Sequence, residues 1–256
     1  MNDSFVLRVG QVSGRDHIFS KINCQDAYAS LQIKLGDGVY NIGVISDGCS
    51  EGKNSEVGAK LACSFSVSNI SRLLEQKVYL GKIPFLLFKN QITFLRRVIN
   101  QYKFSSYPDR LEFIKNHLLF TQIGFIQGYE NTIVFAYGDG LVTVNNNVDF
   151  RDQGEAPYYP AYHLIDKRLL SDASEIPESF DSFVVKTKDI QKLAIGTDAW
   201  RAEKDLILSG YIWENQHESA LQRKMNVWST RQRRFQDDAT LITLERIQEG
   251  ENECNY

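Results

Sequence analysis

The sequence predicts an α+β protein in which antiparallel β-sheets are covered by helices. Three observations support this fold class: short runs that alternate apolar and polar residues, separate helical stretches, and no regular strand–helix–strand rhythm of the kind that builds a parallel sheet. With 256 residues, 43% of them hydrophobic, the chain can bury a substantial core. We expect one domain over residues 1–246 and a polar C-terminal tail at 247–256.

Strands are predicted wherever apolar and polar residues alternate between turn signals. The Gly36-Asp37-Gly38 and Gly138-Asp139-Gly140 turns each separate two such runs. The predicted strands cover residues 5–13, 27–35, 39–46, 122–127, 132–137, 141–144, 183–186, 192–195 and 239–244.

Helices are predicted where apolar residues recur every three or four positions. The first follows Asn54, which can cap a helix, the second follows Pro84, and further helical stretches cover residues 111–119 and 204–227. Residues 145–180 are rich in Pro, Tyr, Asp and Ser and show little periodicity. We interpret this segment as a long excursion over the surface of the same domain.

Composition and charge exclude several classes of protein. A net charge of -3, from 29 basic and 32 acidic residues, disfavours a generic binder of nucleic acid or of anionic membranes. The longest apolar run, residues 83–88, is far shorter than the roughly 18 residues that a membrane span needs. The four cysteines have neither the C-x-x-C spacing of structural zinc sites nor a disulfide pattern. We therefore expect reduced thiols, a cytoplasmic location and a monomer.

Four aspartates lie where predicted strands begin or end, namely Asp26, Asp47, Asp198 and Asp237. Each one taken alone is explained by an Asx turn. If the strands are neighbours, however, the carboxylates converge, and like charges held close together repel unless a cation compensates them. Magnesium and manganese are the natural cations, because hard divalent ions prefer oxygen ligands.

The local sequences around these aspartates resemble the motifs of the metal-dependent type 2C protein phosphatases, over nearly the whole chain. Gly138-Asp139-Gly140 stands in the place of the family's G-D-S turn, and the first motif resembles bacterial members that have C-Q-D-A there. The four motifs, in the family's order, are Asn23-Cys24-Gln25-Asp26-Ala27, Val44-Ile45-Ser46-Asp47-Gly48, Ala194-Ile195-Gly196-Thr197-Asp198 and Asp237-Asp238-Ala239-Thr240.

This resemblance implies two antiparallel sheets packed face to face between helices, with two Mn²⁺ or Mg²⁺ ions at one end of the sandwich. By position, Asp47 would bridge both metals and the backbone carbonyl of Gly48 would bind the first. Asp198 and Asp237 match the acids that hold the second metal. The remaining two acids have less direct roles. Asp26 would lie near the metals and contact them through water. Asp139 matches an acid that holds a weaker third metal in some members, although a plain hairpin turn explains this aspartate equally well.

The activity implied is hydrolysis of phosphoserine and phosphothreonine in proteins by a metal-bound water, without a phosphoenzyme. Phosphorylated proteins, among them a kinase or its targets, would be the partners. Three departures from the family pattern lie at the site. Cys49 replaces a histidine proposed as proton donor, Gln25 replaces a glutamate, and Lys21 replaces an arginine that pairs with phosphate. His17 is an alternative to the missing donor.

Two other functions remain open at this stage. The three departures favour a phosphatase-like sensor or scaffold, whereas the retained acids favour an enzyme, because a scaffold has no need to gather that much negative charge. The short excursion also permits a phosphatase of small phosphate esters.

Overall fold

Two five-stranded antiparallel sheets form the centre of the molecule in the computed structural model, which describes residues 4–36, 38–154, 157–170, 175–213 and 217–247. The strands are β1 Ser4–Val12, β2 Ala27–Leu35, β3 Gly38–Gly48, β4 Phe120–Gln127, β5 Asn131–Tyr137, β6 Gly140–Val144, β7 Asn147–Arg151, β8 Asp181–Lys186, β9 Lys192–Gly196 and β10 Ala239–Ile247. The first sheet has the order β1-β10-β9-β6-β7 and the second β2-β3-β4-β5-β8. The predicted fold class is confirmed.

Helices cover the outer face of each sheet, and a short one, α1, lies at one end of the sandwich. The helices are α1 Arg15–Ser20, α2 Glu56–Glu75, α3 Ile83–Ile99, α4 Tyr107–His117, α5 Lys204–Leu208 and α6 Ala220–Thr230. Helix α2 packs against β2 and β3 of the second sheet, and α6 packs against β1 of the first. Among the described residues, no helix is long and apolar enough to cross a membrane.

The core has three layers because each sheet is apolar on both faces. Between the sheets, Ile45 and Phe125 of the second sheet meet Ile195 and Ile242 of the first. Outside the second sheet lie the apolar faces of α2 and α3, and outside the first sheet lies α6. Burying such a side chain contributes about 1.5–3 kcal/mol, so these layers hold the strand ends in fixed positions.

The structure differs from the predicted elements in three places. Strand β7 lies in the segment predicted as an irregular excursion, because Asn147–Arg151 pairs with β6 along its whole length. The helical stretch predicted at 204–227 is divided into α5 and α6, and Gly210 adopts a φ of +78° after α5 ends. Helix α1 was not predicted. The tail at 248–256 and residues 155–156 and 171–174 of the excursion lie outside the described residues.

Strand direction places the predicted acids together. Strand β2 begins at Ala27, which pairs with Ser46 near the end of β3, so Asp26 and Asp47 lie at one end of the second sheet. Strand β9 ends at Gly196, which pairs with Leu241 near the start of β10, so Asp198 and Asp237 lie at one end of the first. These ends face each other across the sandwich.

Candidate metal centre

A polar cleft of about 180 Å³ opens at this end of the sandwich. Its lining comes from both sheets, from α1 and from the excursion after β7. The lining residues are His17, Gln25, Asp47, Gly48, Cys49, Ser50, Thr121, Asp139, Gly154, Pro157, Tyr159, Asp198, Asp237 and Asp238. Six of the eight residues predicted for the site, namely Asp47, Gly48, Cys49, Asp139, Asp198 and Asp237, are therefore brought to one cleft.

Asp47 lies at the centre of the acidic cluster. Its burial raises the pKa of its carboxyl well above the usual range, and the charges of Asp26, Asp198 and Asp237 raise it further. The Asp47 and Asp198 carboxyls are close enough to share a hydrogen bond, which requires a proton on one of them. A divalent cation between the two carboxylates would remove this repulsion without a proton.

Asp26 is almost completely buried, with 2% of its surface exposed, and lies behind the cleft rather than on its wall. Its Oδ2 accepts a hydrogen bond from Thr197 Oγ1 at 2.9 Å, but Oδ1 has no hydrogen-bond partner among the residues that the structure describes. Burial, together with the charges of Asp238 and Asp198, raises the pKa of Asp26 to about 8 against the opposing threonine hydrogen bonds. A buried carboxylate oxygen without a partner is costly, and a cation or its water shell would satisfy it.

Gly48 and Gln25 bring backbone and amide oxygens to the same place. A Cβ atom at position 48 would lie 2.8 Å from the Gln25 carbonyl oxygen and 2.7 Å from Ser55 Oγ, so only glycine fits there. Gln25 Nε2 donates a hydrogen bond to the Gly52 carbonyl at 2.8 Å, while its Oε1 is buried and has no hydrogen-bond partner in the described part of the chain. Carboxylate, amide and carbonyl oxygens are the donor set that Mg²⁺ and Mn²⁺ prefer, so the residues present fit a divalent centre.

Asp139 is held by the chain that follows β7. Its Oδ1 accepts a hydrogen bond from the backbone N–H of Gln153 at 2.8 Å. Burial raises the pKa of Asp139, and this hydrogen bond opposes the rise. Asp139 therefore lines the cleft and also fastens the excursion to it. The hairpin-turn interpretation of Asp139 is wrong, because β5 and β6 belong to different sheets, and its role as a ligand of a third metal stays a prediction.

Asp238, which sequence reasoning did not single out, organises one wall of the cleft. It is 3% exposed, and its carboxylate accepts three hydrogen bonds: from Gly14 N at 2.7 Å, Gln25 N at 2.6 Å and His17 Nδ1 at 2.7 Å. The neighbouring residue Asp237 is exposed as a whole, but its carboxyl group is partly buried. This partial burial, together with the charges of Asp198 and Asp238, raises the pKa of Asp237. The adjacent pair Asp237-Asp238 was the sequence signal that could have revealed this second acid.

His17 has a defined orientation in the cleft. Asp238 holds Nδ1, and no hydrogen bond to Nε2 is formed within the part of the chain that the structure describes. The ligand atoms of His17, Asp237 and Asp238 all lie within 4.8 Å of one another. The imidazole therefore stands beside the acidic cluster with one nitrogen available to a bound molecule.

Cys49 and Lys21 lie in different environments. Cys49 is partly buried in the cleft beside Tyr159; burial above all, and then the interaction with Cys49, raises the pKa of Tyr159. Lys21 is exposed just after α1, with a φ of +57°, and is not among the residues that line the cleft. Its role as a phosphate ligand stays a prediction.

Comparisons with known proteins agree on one family. A family model described as Protein phosphatase 2C matches residues 13–199, which include Asp26, Asp47, Asp139 and Asp198 but not Asp237. No curated protein sequence matches the chain.

Three solved structures are similar in fold. A bacterial serine phosphatase has a TM-score of 0.63 at 11% identity, with 96% of this chain and 99% of that chain covered. The serine/threonine phosphatase Stp1 from Staphylococcus aureus has a TM-score of 0.59 at 12% identity, with 94% of each chain covered. RsbX in complex with magnesium has a TM-score of 0.52 at 12% identity, with 96% of this chain and 97% of that chain covered.

Proposed function

The chain belongs to the protein phosphatase 2C family and is a metal-dependent protein phosphatase, and we propose that its polar cleft holds two Mn²⁺ or Mg²⁺ ions and hydrolyses phosphoserine and phosphothreonine in proteins. The observation that carries this proposal is the cluster of carboxylates around Asp47, whose charges repel one another in a buried place. When bound, two divalent cations supply a water of lowered pKa, hold it in line with phosphorus and neutralise the phosphoryl oxygens.

Each acid has a proposed role that its place in the cleft supports. Asp47 would be a ligand of both ions, and the Gly48 carbonyl would be a ligand of the first. Asp198 and Asp237 would hold the second ion. Oδ1 of Asp26, which has no hydrogen-bond partner among the described residues, supports a contact with the centre through water. Asp139 would hold a weaker third ion, at the cost of its hydrogen bond from Gln153.

The reaction also requires a group that protonates the departing seryl or threonyl oxygen. Cys49 occupies the position of the family's histidine, but a thiol is a poorer proton donor than an imidazolium near neutral pH. His17 lines the same cleft, and Asp238 orients it through Nδ1. A carboxylate that holds one imidazole nitrogen leaves the other directed at the substrate, which is how a positioned histidine transfers a proton. We therefore assign proton donation to His17, with Cys49 as the alternative.

Further parts of the proposal rest on the sequence. The Cys24-Gln25-Asp26-Ala27 motif supports a place in the bacterial branch of the family. Phosphoprotein substrates follow from the family, and a kinase or its targets are the proposed partners. A cytoplasmic location and a monomeric state remain proposals of the same kind.

The sensor or scaffold is the competing function. Gln25 and Cys49 favour it, because an amide and a thiol replace groups that the family uses. The cluster favours the enzyme: a domain without metals would gain stability from any neutral replacement of Asp26 or Asp47, since an uncompensated buried charge is destabilising.

The experiment that tests the enzyme compares hydrolysis of a phosphoserine peptide and of an aryl phosphate, with Mn²⁺ and with chelator. We expect turnover that needs the metal and that Asp47→Asn reduces by well over about 100-fold, because losing a group that merely orients a ligand already costs about 10–100-fold. Asp109→Asn, an exposed aspartate on α4, is the matched control. Calorimetric titration with Mn²⁺ should show weaker binding for Asp47→Asn. Chelator-resistant turnover, or wild-type rates in Asp47→Asn, would refute the assignment.

A further inference from the structure

Helix α1 and the turn that follows it expose three large apolar side chains next to the cleft. Ile18 is 61% exposed, Phe19 91% and Ile22 44%. Single exposed apolar residues are common on protein surfaces, but three within five positions form a patch, and such patches usually mark a site of interaction. We call Ile18, Phe19 and Ile22 the α1 patch. The fold itself does not use these side chains, because the buried residue of α1 is His17.

The α1 patch is held at a fixed position relative to the cleft. The backbone N–H groups of Arg15 and Asp16 donate to the carbonyls of Phe235 and Gln236 at 3.2 Å and 3.1 Å. The Asp16 carboxylate also accepts from Gln236 Nε2 at 3.0 Å. These contacts fasten α1 to the loop that carries Asp237, so the α1 patch cannot move independently of the proposed metals.

Close packing at the start of α1 confirms this attachment. A Cβ atom at Gly14 would lie 2.3 Å from the backbone of Asp237, so the two backbones approach more closely than any other residue at position 14 would allow. At the other end, Ile22 N donates to the His17 carbonyl at 2.9 Å and closes the turn that presents Ile22. The α1 patch is therefore a preformed surface.

We propose that the α1 patch binds an apolar side chain of the phosphoprotein substrate, two to four residues from the phosphorylated residue; this inference rests on the proposed function of the cleft. His17 and Phe19 are two residues apart on α1, so their side chains lie on opposite sides of a helix about 10 Å wide, with the cleft on the His17 side. An extended peptide advances about 3.3 Å per residue, so residues at that separation reach over α1 when the phosphate is in the cleft.

Charge around the α1 patch supports a phosphorylated occupant. Arg15 and Lys21, both exposed, lie at the two ends of the helix. They favour the approach of an anionic chain over that of a neutral one, and their effect weakens at high salt. A protein whose phosphorylated residue enters the cleft has to lie against its rim, and α1 is one side of that rim.

The test uses two phosphoserine peptides of equal length, one with Leu and one with Ser at the second to fourth positions on both sides of the phosphoserine. We expect wild-type protein to prefer the Leu peptide by about tenfold in kcat/KM, chiefly through KM, because burying a large apolar side chain is worth at least one decade in affinity. Phe19→Ser and Ile18→Ser should each remove most of this preference. Hydrolysis of an aryl phosphate, which cannot reach the patch, should stay unchanged.

Phe85→Ser is the matched control, because Phe85 is a 48% exposed phenylalanine on α3. It should keep the preference for the Leu peptide. A second readout measures binding of the two peptides as non-hydrolysable phosphonate analogues to Mn²⁺-loaded protein by fluorescence anisotropy, which needs no turnover.

Equal affinity of wild-type protein for both analogues, or a preference that survives Phe19→Ser, would overturn the inference. So would a wild-type dimer that Phe19→Ser converts to a monomer in size-exclusion chromatography, because the α1 patch would then contact a second copy. Failure to hydrolyse any phosphate ester would refute the proposed function instead, and the anisotropy measurement would still decide on the α1 patch.

Discussion

Replacing His17 separates its proposed role in proton donation from that of Cys49. The two groups line the same cleft, but only His17 has a carboxylate partner, Asp238, at 2.7 Å from Nδ1. Asp238 is fixed by two further hydrogen bonds from backbone N–H groups, so the imidazole is held in one orientation. We therefore expect His17→Ala to impair hydrolysis selectively, and Cys49→Ala to change it little.

The size of the effect depends on the leaving group. A positioned acid contributes about 10²–10⁴-fold, which corresponds to about 2.7–5.4 kcal/mol of activation free energy. A seryl oxygen is a poor leaving group and needs the proton, whereas a phenolate with electron-withdrawing groups departs without it. We expect His17→Ala to lower kcat for a phosphoserine peptide by about 100-fold or more, and kcat for such an aryl phosphate by less than about tenfold.

The assay measures kcat at saturating Mn²⁺ for the phosphoserine peptide and for a series of aryl phosphates whose phenols differ in acidity. His17→Asn is the decisive variant, because an amide N–H can still donate to Asp238 and hold α1 in place but cannot transfer a proton. The exposed His217 provides the control His217→Ala. Thermal unfolding of each variant detects a purely structural defect.

Two results would refute this reasoning. If His17→Asn hydrolyses the phosphoserine peptide as fast as wild type, the ring has only a positioning role. If Cys49→Ala loses activity on the peptide alone, the thiol assists departure, and our interpretation of Cys49 as a replaced donor is wrong.

Two further predictions concern Lys21 and Asp26. Lys21→Ala should raise KM for phosphopeptides by about two- to fivefold with little change in kcat. An exposed ion pair is worth about 0–1 kcal/mol, and it acts equally in the ground state and the transition state. A fall in kcat alone would contradict this prediction. The metal-free protein should lose stability as pH rises from about 4 to about 8, because Asp26 has a pKa of about 8 in the folded state and near 4 when unfolded, so the folded state binds more protons across this window. Thermal unfolding should show that the stability of Asp26→Asn depends less on pH than that of wild type. Mn²⁺ at 100 times its Kd should add about 2.7 kcal/mol to the free energy of unfolding. If the stability of the metal-free protein rises over this pH window, the assignment is contradicted.

Local pattern was sufficient for much of the fold. Alternation alone predicted β2 at residues 27–35 with the bounds that the structure has, and glycine marked the end of β5, where the chain crosses at Gly138 to β6 in the other sheet. Elements that depend on distant partners were missed or misjudged. Strand β7 is stabilised by pairing with β6, and the six residues of α1 are too few to be stable without the loop around Asp237.

The candidate site likewise has one part that the sequence predicted and another that it did not. The sequence by itself determined which acids lie at strand ends, because strand periodicity and turn residues are local properties, and short motifs around those acids were enough for the family. Only the tertiary structure decided that Asp238 gathers Gly14, His17 and Gln25 from more than 200 residues away, and that Lys21 stays outside the cleft. A hydrogen bond between distant segments depends on how the two sheets pack, and that packing arises from the buried side chains of the whole chain rather than from any one motif.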